Sequence, residues 1–354
     1  MAGLLSLSLE VVGEILDFLS DESLFLISQV SQDLRKEAMR YLLHHTRLGR
    51  PSDLKLLVGR LKWSPDLVSH IKQLEFCWMA GSMPSKEHLA VLAVHLPLAR
   101  GLRRLIGTCG METILVSTPQ LDPSHWRFLR RLTLTNLAAA DLFTFDLIQS
   151  LPRDGLETLS VSFRRVEPNG WRWLVGQRRS LRQVRVLGAL LPEPIPGVFD
   201  EVLYLTISAQ LASSAISRAF PHVIRLTGHR RENEEVQPGS APELLSWPHL
   251  RTVRGHWPLD PTLPYTTPNI WLDGRRHERP DDVLDMAGVL KPCCLSFVGP
   301  LCDFFDLSWG ASEVSRLYTA VNITVKWSAD DMREGCWIDD AKSAMVSQAI
   351  TVVT

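Results

Sequence analysis

The sequence has almost no excess of charge of either sign. Its 38 lysines and arginines are matched by 39 aspartates and glutamates, which leaves a formal net charge of −1 over 354 residues. Such a balance gives the chain no overall attraction to nucleic acid or to an anionic membrane. We therefore expect neither of them as a partner.

The sequence also lacks the run of about 18 uninterrupted apolar residues from which a membrane-spanning helix is built. Near the N-terminus no basic segment precedes the first apolar residues, and Glu10, Glu14 and Asp17 soon interrupt them. This pattern is typical of neither a signal peptide nor a spanning helix. We expect a soluble protein of the cytoplasm, the nucleus or both.

Disulfide and metal patterns are absent too. Six cysteines in a chain without a signal peptide predict reduced thiols. Cys293, Cys294 and Cys302 do not have the C-x-x-C spacing of a zinc site and are predicted to be buried free thiols. His44 and His45 are adjacent, so on a helix their rings would point apart, which predicts a surface pair and no metal site.

No catalytic motif is present. The sequence contains no G-x-S-x-G, no glycine-rich phosphate loop and no H-E-x-x-H. We therefore predict no catalytic residue, no cofactor and no enzymatic activity.

Residues 7 to 42 have the apolar pattern of three short helices. Leu9, Val12, Leu16 and Leu19 recur at helical spacing, and further apolar residues give the first helix a second face. Ser8 and Ser31 are candidate N-caps. So small a unit cannot bury all of these side chains alone, which favours one face for the body of the protein and another for a separate protein. The alternative is that the helices only cap the larger domain.

These residues resemble the F-box family. Leu7, Glu10-Val11, Ile15-Leu16, Phe18-Leu19, Leu24 and Val30-Ser31 stand at the spacing of its L-P-x-E-V-L-x-x-I-L-x-Y-L and V-S-R-x-W-R patterns, with Ser8 in place of the proline. The resemblance implies that this segment docks on a Skp-type adaptor carried by a cullin scaffold. The adaptor-binding residues that it implies are Leu7, Leu9, Glu10, Val12, Ile15, Leu16, Leu19, Leu24, Ile27, Val30 and Leu34.

A repeat begins at residue 71. Eight segments of six residues share an apolar first position, an apolar fourth position and, in most of them, an apolar sixth position. Their fourth positions are Leu74, Leu105, Leu132, Leu159, Val184, Leu205, Leu226 and Val253. Weaker candidates for further strands begin near residues 269, 293 and 321. Helix-compatible stretches lie between several of the segments, so one strand and one helix are predicted for each unit.

The spacing of the fourth positions, 21 to 31 residues, resembles that of leucine-rich repeats, whose period is about 20 to 29 residues. The predicted fold class is α/β: a short N-terminal three-helix F-box followed by an irregular leucine-rich-repeat solenoid. The predicted divisions are an F-box-like helical domain at 1 to 48, a helical linker at 49 to 70, and a repeat domain at 71 to 354 that ends in a C-terminal cap.

The alternation of a strand places the third and fifth positions on the outer face of the sheet, opposite the core. Basic residues at these positions are Arg104, Arg131, Arg185, Arg225 and Arg254. Guanidinium groups pair well with carboxylates and phosphates, so these five are predicted to bind an acidic or phosphorylated protein substrate. The alternative is a solvated surface whose arginines pair with acids in the loops.

Together the two modules are similar to an F-box/leucine-rich-repeat protein, the substrate-recognition subunit of a Skp-cullin-F-box ubiquitin ligase. The resemblance implies an adaptor bound to the helices and a protein substrate, whose identity stays open, bound to the repeats. The alternative is a non-catalytic interaction scaffold unrelated to ubiquitin.

Overall fold

The computed structural model describes residues 7–77, 85–107, 124, 126–137, 148–163, 171–187, 195, 197–208, 214–229, 246–254, 262, 269–273, 294–298, 322–326 and 350–353. The chain divides into two compact units. The first comprises Met1–Val166 and Trp173–Ser180, and the second comprises Glu167–Arg172 and Leu181–Thr354.

The first unit begins with three helices, as predicted. They are α1 (Leu9–Asp17), α2 (Asp21–Ile27) and α3 (Gln32–Leu42). The hydroxyls of Ser8, Ser20 and Ser31 accept backbone N–H groups from the first turns of these helices. Each first turn also carries an acid, which the helix dipole favours. The predicted caps Ser8 and Ser31 are thus confirmed.

The remainder of the first unit alternates strands and helices. In chain order it contains β1 (His45–Leu48), α4 (Pro51–Trp63), a 3-10 helix (Pro65–His70), β2 (Gln73–Phe76), α5 (Lys86–His95), a 3-10 turn (Leu96–Leu98), β3 (Arg104–Gly107), β4 (Arg131–Leu137) and β5 (Thr158–Phe163). Each strand pairs in parallel with the next one along the chain. Parallel neighbours need such crossover connections.

The second unit repeats this arrangement. It contains β6 (Gln183–Leu187), β7 (Tyr204–Ser208), α6 (Ser214–Ala219), β8 (Arg225–His229), β9 (Thr252–Arg254), β10 (Asn269–Asp273), β11 (Cys294–Val298), β12 (Asn322–Lys326) and β13 (Ile350–Val353). A further 3-10 helix, Trp171–Gln177, lies between β5 and β6. All neighbouring strands from β6 to β13 pair in parallel. The predicted α/β class and the three later strands are confirmed.

The predicted fourth positions form a buried row across the strands of each unit. Leu74, Leu105, Leu132 and Leu159 are partners in register in the first unit. Val184, Leu205, Leu226 and Val253 are partners in the second unit. All eight side chains are buried, as are the eight first positions. Burial of these apolar surfaces is the main driving force that holds consecutive strands together.

A repeated hydrogen-bond arrangement sets this register. At six second positions the carbonyl accepts the N–H groups of the second and third positions of the following segment. Lys72 O, for example, accepts Arg103 N at 2.7 Å and Arg104 N at 3.1 Å. The carbonyls that accept in this way are those of Lys72, Arg103, Arg130, Arg182, Leu203 and Ile224. A slip by one residue would break the arrangement and move each apolar set to the wrong face.

Two tryptophans support the turns that precede the strands. Trp126 donates its indole N–H to Leu96 O at 3.1 Å, and Trp247 donates to Phe220 O at 2.7 Å. Both side chains are buried. A large apolar ring with one satisfied donor suits such a site. These two tryptophans therefore pack between consecutive segments of the repeat.

The structure corrects the sequence analysis at the end of the predicted helical domain. Residues 1 to 48 were predicted to be helical, but His45–Leu48 form β1, which pairs in parallel with β2. Of the residues after Trp327, where the C-terminal cap was predicted, the structure describes Ile350–Val353, which form β13; the cap stays a prediction. None of the helices in the described ranges is long and apolar enough to cross a membrane.

Candidate functional site

The three N-terminal helices have a core of their own. It consists of Val12 and Leu16 of α1, Leu24 of α2, and Leu34 and Ala38 of α3. Leu19, Ile27, Tyr41 and Leu42 pack against it and stay partly exposed. The helices therefore bury one apolar stripe among themselves.

This burial corrects part of the predicted adaptor-binding set. Val12, Leu16, Leu24 and Leu34 were predicted to bind a partner, but they are buried inside the helical unit. A side chain without accessible surface offers no contact to a second protein. These four residues hold the helices in place instead.

The other predicted adaptor-binding residues keep some accessible surface wherever the structure describes their side chains. Leu7, Glu10 and Val30 are exposed, while Ile15, Leu19 and Ile27 are half-buried. The side chain of Leu9 lies outside the described residues. Leu7 retains 42% of its surface, so it is not covered by the sheet.

Large apolar side chains of the helical unit point to solvent. We call them the exposed apolar set: Val11, Phe18, Phe25, Leu26 and Val30. Phe18, at the C-terminal end of α1, is 91% exposed. Apolar residues gathered in one small unit and left exposed are typical of an interaction surface, whereas single ones are ordinary.

Sequence reasoning found only part of this set. Val11 and Phe18 lie two helical turns apart, on the second apolar face predicted for α1. Phe25 and Leu26 were missed because α2 contains four consecutive apolar residues, 24 to 27, which have no helical period. Only the packing against α3 decides which of the four are buried.

Hydrogen bonds fix the helices to one another and to the first sheet. Arg35 Nε donates to Ser28 O at 3.0 Å, which ties α3 to the end of α2. His44 O accepts the backbone N–H groups of Lys72 at 3.1 Å and Gln73 at 2.7 Å. The end of the helical unit is thus hydrogen-bonded directly to the start of β2.

His44 lies at this junction and is not a surface residue as predicted. Its side chain is 14% exposed, and its ring packs against Tyr41 with a centroid distance of 4.8 Å. Burial and the nearby Lys72 ammonium lower the pKa of His44 to about 4, although Asp17, 4.0 Å from Nδ1, opposes the shift. His44 is therefore neutral at physiological pH. Its neighbour His45 is exposed at the start of β1.

Two of the predicted substrate-binding arginines are neighbours in the first unit. Arg104 of β3 and Arg131 of β4 are direct partners in register, on strands about 4.8 Å apart. Both side chains retain accessible surface. Like charges at paired positions repel each other. An anion that contacts both guanidinium groups would relieve that repulsion.

Glu75 stands at a fifth position, on the same face of the sheet as Arg104 and Arg131, and has partners of its own. Its Oε1 accepts the thiol of Cys77 at 2.9 Å and lies 4.0 Å from Nε of Arg47. Burial, followed by this hydrogen bond, raises the pKa of Cys77, so the thiol stays protonated and continues to donate. The Glu75 carboxylate therefore contacts Cys77 and Arg47, and Arg47 belongs to β1.

The other three predicted arginines belong to the second unit. Arg225 of β8 is in register with Tyr204 and Thr252. Arg185 begins a row of fifth positions that continues through Thr206 and Thr227 to Arg254. The structure therefore brings Arg104 and Arg131 together as a pair and places Arg185, Arg225 and Arg254 in a separate unit.

Within the described residues, no group of three or more histidine, cysteine, aspartate or glutamate side chains is placed to hold a metal ion. Comparison of the sequence with protein-family models and with curated proteins found no match.

Proposed function

We propose that this protein is the substrate-recognition subunit of a Skp-cullin-F-box ubiquitin ligase. The observation that carries the proposal is the helical unit, which closes its own core and still exposes large apolar side chains. The F-box resemblance of residues 7 to 42 names the occupant of that surface, a Skp-type adaptor bound to a cullin scaffold. The parallel repeats, which resemble an irregular leucine-rich-repeat solenoid, hold the substrate.

The mechanism that follows is proximity. Adaptor and substrate bind to one chain, so an acceptor lysine of the substrate is held near an activated ubiquitin and its effective concentration rises. The chain catalyses nothing itself. It needs no cofactor, and it works in the cytoplasm, the nucleus or both.

The scaffold alternative requires the helices to be a cap whose apolar residues are buried against the repeats. Under that alternative Leu7, Leu9, Val12 and Leu16 would be covered by the sheet. Val12 and Leu16 are instead buried among α1, α2 and α3, and Leu7 is exposed. This arrangement supports docking of a separate protein.

Adaptor docking is tested with a matched pair of double variants in the full chain. Phe18→Ser with Leu26→Ser removes two members of the exposed apolar set, which are 91% and 60% exposed. Trp63→Ser with Leu56→Ser removes two α4 side chains that are 91% and 62% exposed. Each is co-expressed with a tagged Skp-type adaptor, and the amount that co-purifies is measured.

We expect the first double variant to lose the adaptor and the control to retain it. Aromatic anchors at the centre of an interface contribute about 2 kcal/mol or more, which corresponds to a loss in affinity of about 30-fold. Neither pair is buried, so both variants should fold. Equal recovery of the adaptor by the two double variants contradicts docking through this surface.

Substrate capture by the outer arginines is tested separately. Arg131→Glu and Arg185→Glu reverse one charge in each unit, and Arg153→Glu reverses an exposed charge in a turn. Proteins captured from cell extract are quantified by mass spectrometry at low and high salt. We expect the first two variants to lose a common set of salt-sensitive partners that Arg153→Glu retains. If Arg131→Glu and Arg185→Glu capture the same proteins as the wild type, the outer face does not bind the substrate.

These comparisons should use point variants and not a truncation at residue 48. Such a truncation removes β1 and so exposes the edge of β2. Unpaired edges promote association with other chains, which would add false partners.

A further inference from the structure

A groove with a volume of about 250 Å³ opens on the second unit where strands β7, β8 and β9 begin. It is lined by Leu203, His222, Ile224, His249 and Arg251. None of these residues belongs to the predicted adaptor or substrate surfaces. We call it the histidine groove.

The floor of the histidine groove comes from the second positions of three consecutive segments. Leu203 O accepts Ile224 N at 2.9 Å, and Ile224 O accepts Arg251 N at 2.8 Å. These bonds fix Leu203, Ile224 and Arg251 as one row across the sheet. The row consists of two aliphatic side chains followed by a guanidinium group.

The two histidines occupy the same place in successive segments. His222 precedes the buried first position Val223, and His249 precedes the buried first position Leu250. Their rings stack with a centroid distance of 6.3 Å and an interplanar angle of 29°. The bond from Trp247 Nε1 to Phe220 O, 2.7 Å long, holds one turn against the other. The two imidazoles are therefore held as a pair by buried neighbours.

The two ends of the histidine groove carry different charged residues. Glu201 stands at the place equivalent to His222 in the preceding segment, next to the Leu203 end of the row. Arg251 closes the opposite end, and among the described residues its guanidinium takes part in no ion pair. An imidazole can donate an N–H whether it is neutral or charged. His249 and Arg251 therefore place two possible donors in one segment, two strands away from Glu201.

We propose that the histidine groove binds an anionic group, a phosphate monoester or a carboxylate, carried on an apolar body the size of one side chain. Arg251 and the two imidazoles contact the anion, and Leu203 and Ile224 contact the apolar body. Pockets for drug-sized ligands begin at about 300 Å³. The volume of the histidine groove, about 250 Å³, therefore suits a smaller ligand, one anionic group with its apolar body. This site is separate from the surfaces of the proposed function and does not rest on it.

The test is a titration of the full-length protein, labelled with ¹³C in its histidine rings and followed by NMR. The resonances of His222 and His249 are assigned with the variants His222→Gln and His249→Gln. The probes are phenyl phosphate, benzoate and the neutral benzyl alcohol. We expect saturable shifts of both resonances with at least one anion and none with the alcohol. Phenyl phosphate alone identifies a phosphate site, and benzoate as well identifies a general carboxylate and phosphate site.

Arg251→Gln should weaken binding of the anion about tenfold or more, because a hydrogen bond to a charged group is lost. Arg103→Gln is the matched control. Arg103 is an exposed arginine at the same second position of a segment in the first unit. The absence of saturable shifts with both anions, equal binding of benzyl alcohol, or an unchanged affinity in Arg251→Gln each overturns the proposal.

Discussion

Gln177 accepts the backbone N–H of Gly155 through its side-chain Oε1 at a distance of 2.9 Å. The same oxygen accepts Leu156 N at 3.0 Å, and Nε2 donates to Pro152 O at 2.9 Å. The side chain of Gln177 is buried. One amide therefore satisfies three backbone groups of the turn before β5, while Arg130 Nη1 donates to Gly155 O at 2.8 Å and Ser180 Oγ donates to Leu156 O at 2.6 Å.

Gln177→Leu should lower the free energy of unfolding by about 2 to 4 kcal/mol, because several buried backbone groups lose their partner at about 1 to 3 kcal/mol each. Gln183→Leu, at an exposed position of β6, is the control and should stay within about 0.5 kcal/mol of wild type. Urea unfolding followed by circular dichroism measures both. If the two leucine variants are equally stable, the Gln177 amide does not support the turn.

Gly59 and Gly101 should respond in opposite directions to replacement by alanine. A Cβ at Gly59, inside α4, meets no atom within 4 Å, so Gly59→Ala should stabilise the protein by about 0.5 to 1 kcal/mol. A Cβ at Gly101 would lie 2.7 Å from the backbone oxygen of Ser69, so Gly101→Ala should destabilise it by about 1 to 3 kcal/mol. Thermal unfolding of both variants checks the signs. A stabilised Gly101→Ala contradicts the close approach at Gly101, and a destabilised Gly59→Ala contradicts the open space at Gly59.

Trp126→Phe should destabilise the first unit by about 1 to 3 kcal/mol. The change removes the indole N–H that bonds Leu96 O and leaves space beside a buried ring. Trp63→Phe alters a side chain that is 91% exposed, so it should have almost no effect. Denaturant midpoints of the two variants provide the comparison. A larger loss from Trp63→Phe would show that the exposed tryptophan packs in solution.

The fold was predictable where apolar residues that recur in the sequence are also the residues that are buried. Leu74, Leu105 and Leu132 recur at the same place of a short motif, and the structure pairs them in register. β1 was missed because it has only four residues and Thr46 stands at a core position. The hydroxyl of Thr46 donates to Leu43 O at 2.9 Å, which makes its burial possible but gives no apolar signal.

The candidate sites were less predictable because they depend on contacts between distant segments. The choice between buried Leu24 and exposed Phe25 is made by packing against α3. His222 and His249 stand 27 residues apart, each preceded by proline and followed by a first position. That repetition was visible in the sequence, but only the pairing of β8 with β9 shows that the rings stack.

His44 should make the stability of the protein depend on pH below neutrality. Its pKa is about 4 in the folded chain, against an ordinary value of 6.5, because its ring is buried and Lys72 lies nearby. Between these values the unfolded chain binds a proton that the folded chain does not bind. The stability from neutral His44 is therefore fully present above pH 6.5 and is lost as the pH falls through about 4.

The variant His44→Phe isolates this contribution because it keeps a ring beside Tyr41 and removes the titrating group. Free energies of unfolding are measured for both proteins at about pH 7.5 and about pH 5, where linkage predicts the larger fall for wild type. The pKa of His70 is also lowered by burial, but His70 is present in both proteins and its effect cancels in the comparison. Identical falls in stability would mean that His44 takes up its proton as readily in the folded protein as in the unfolded chain, which is incompatible with a buried ring at the junction between α3 and β1.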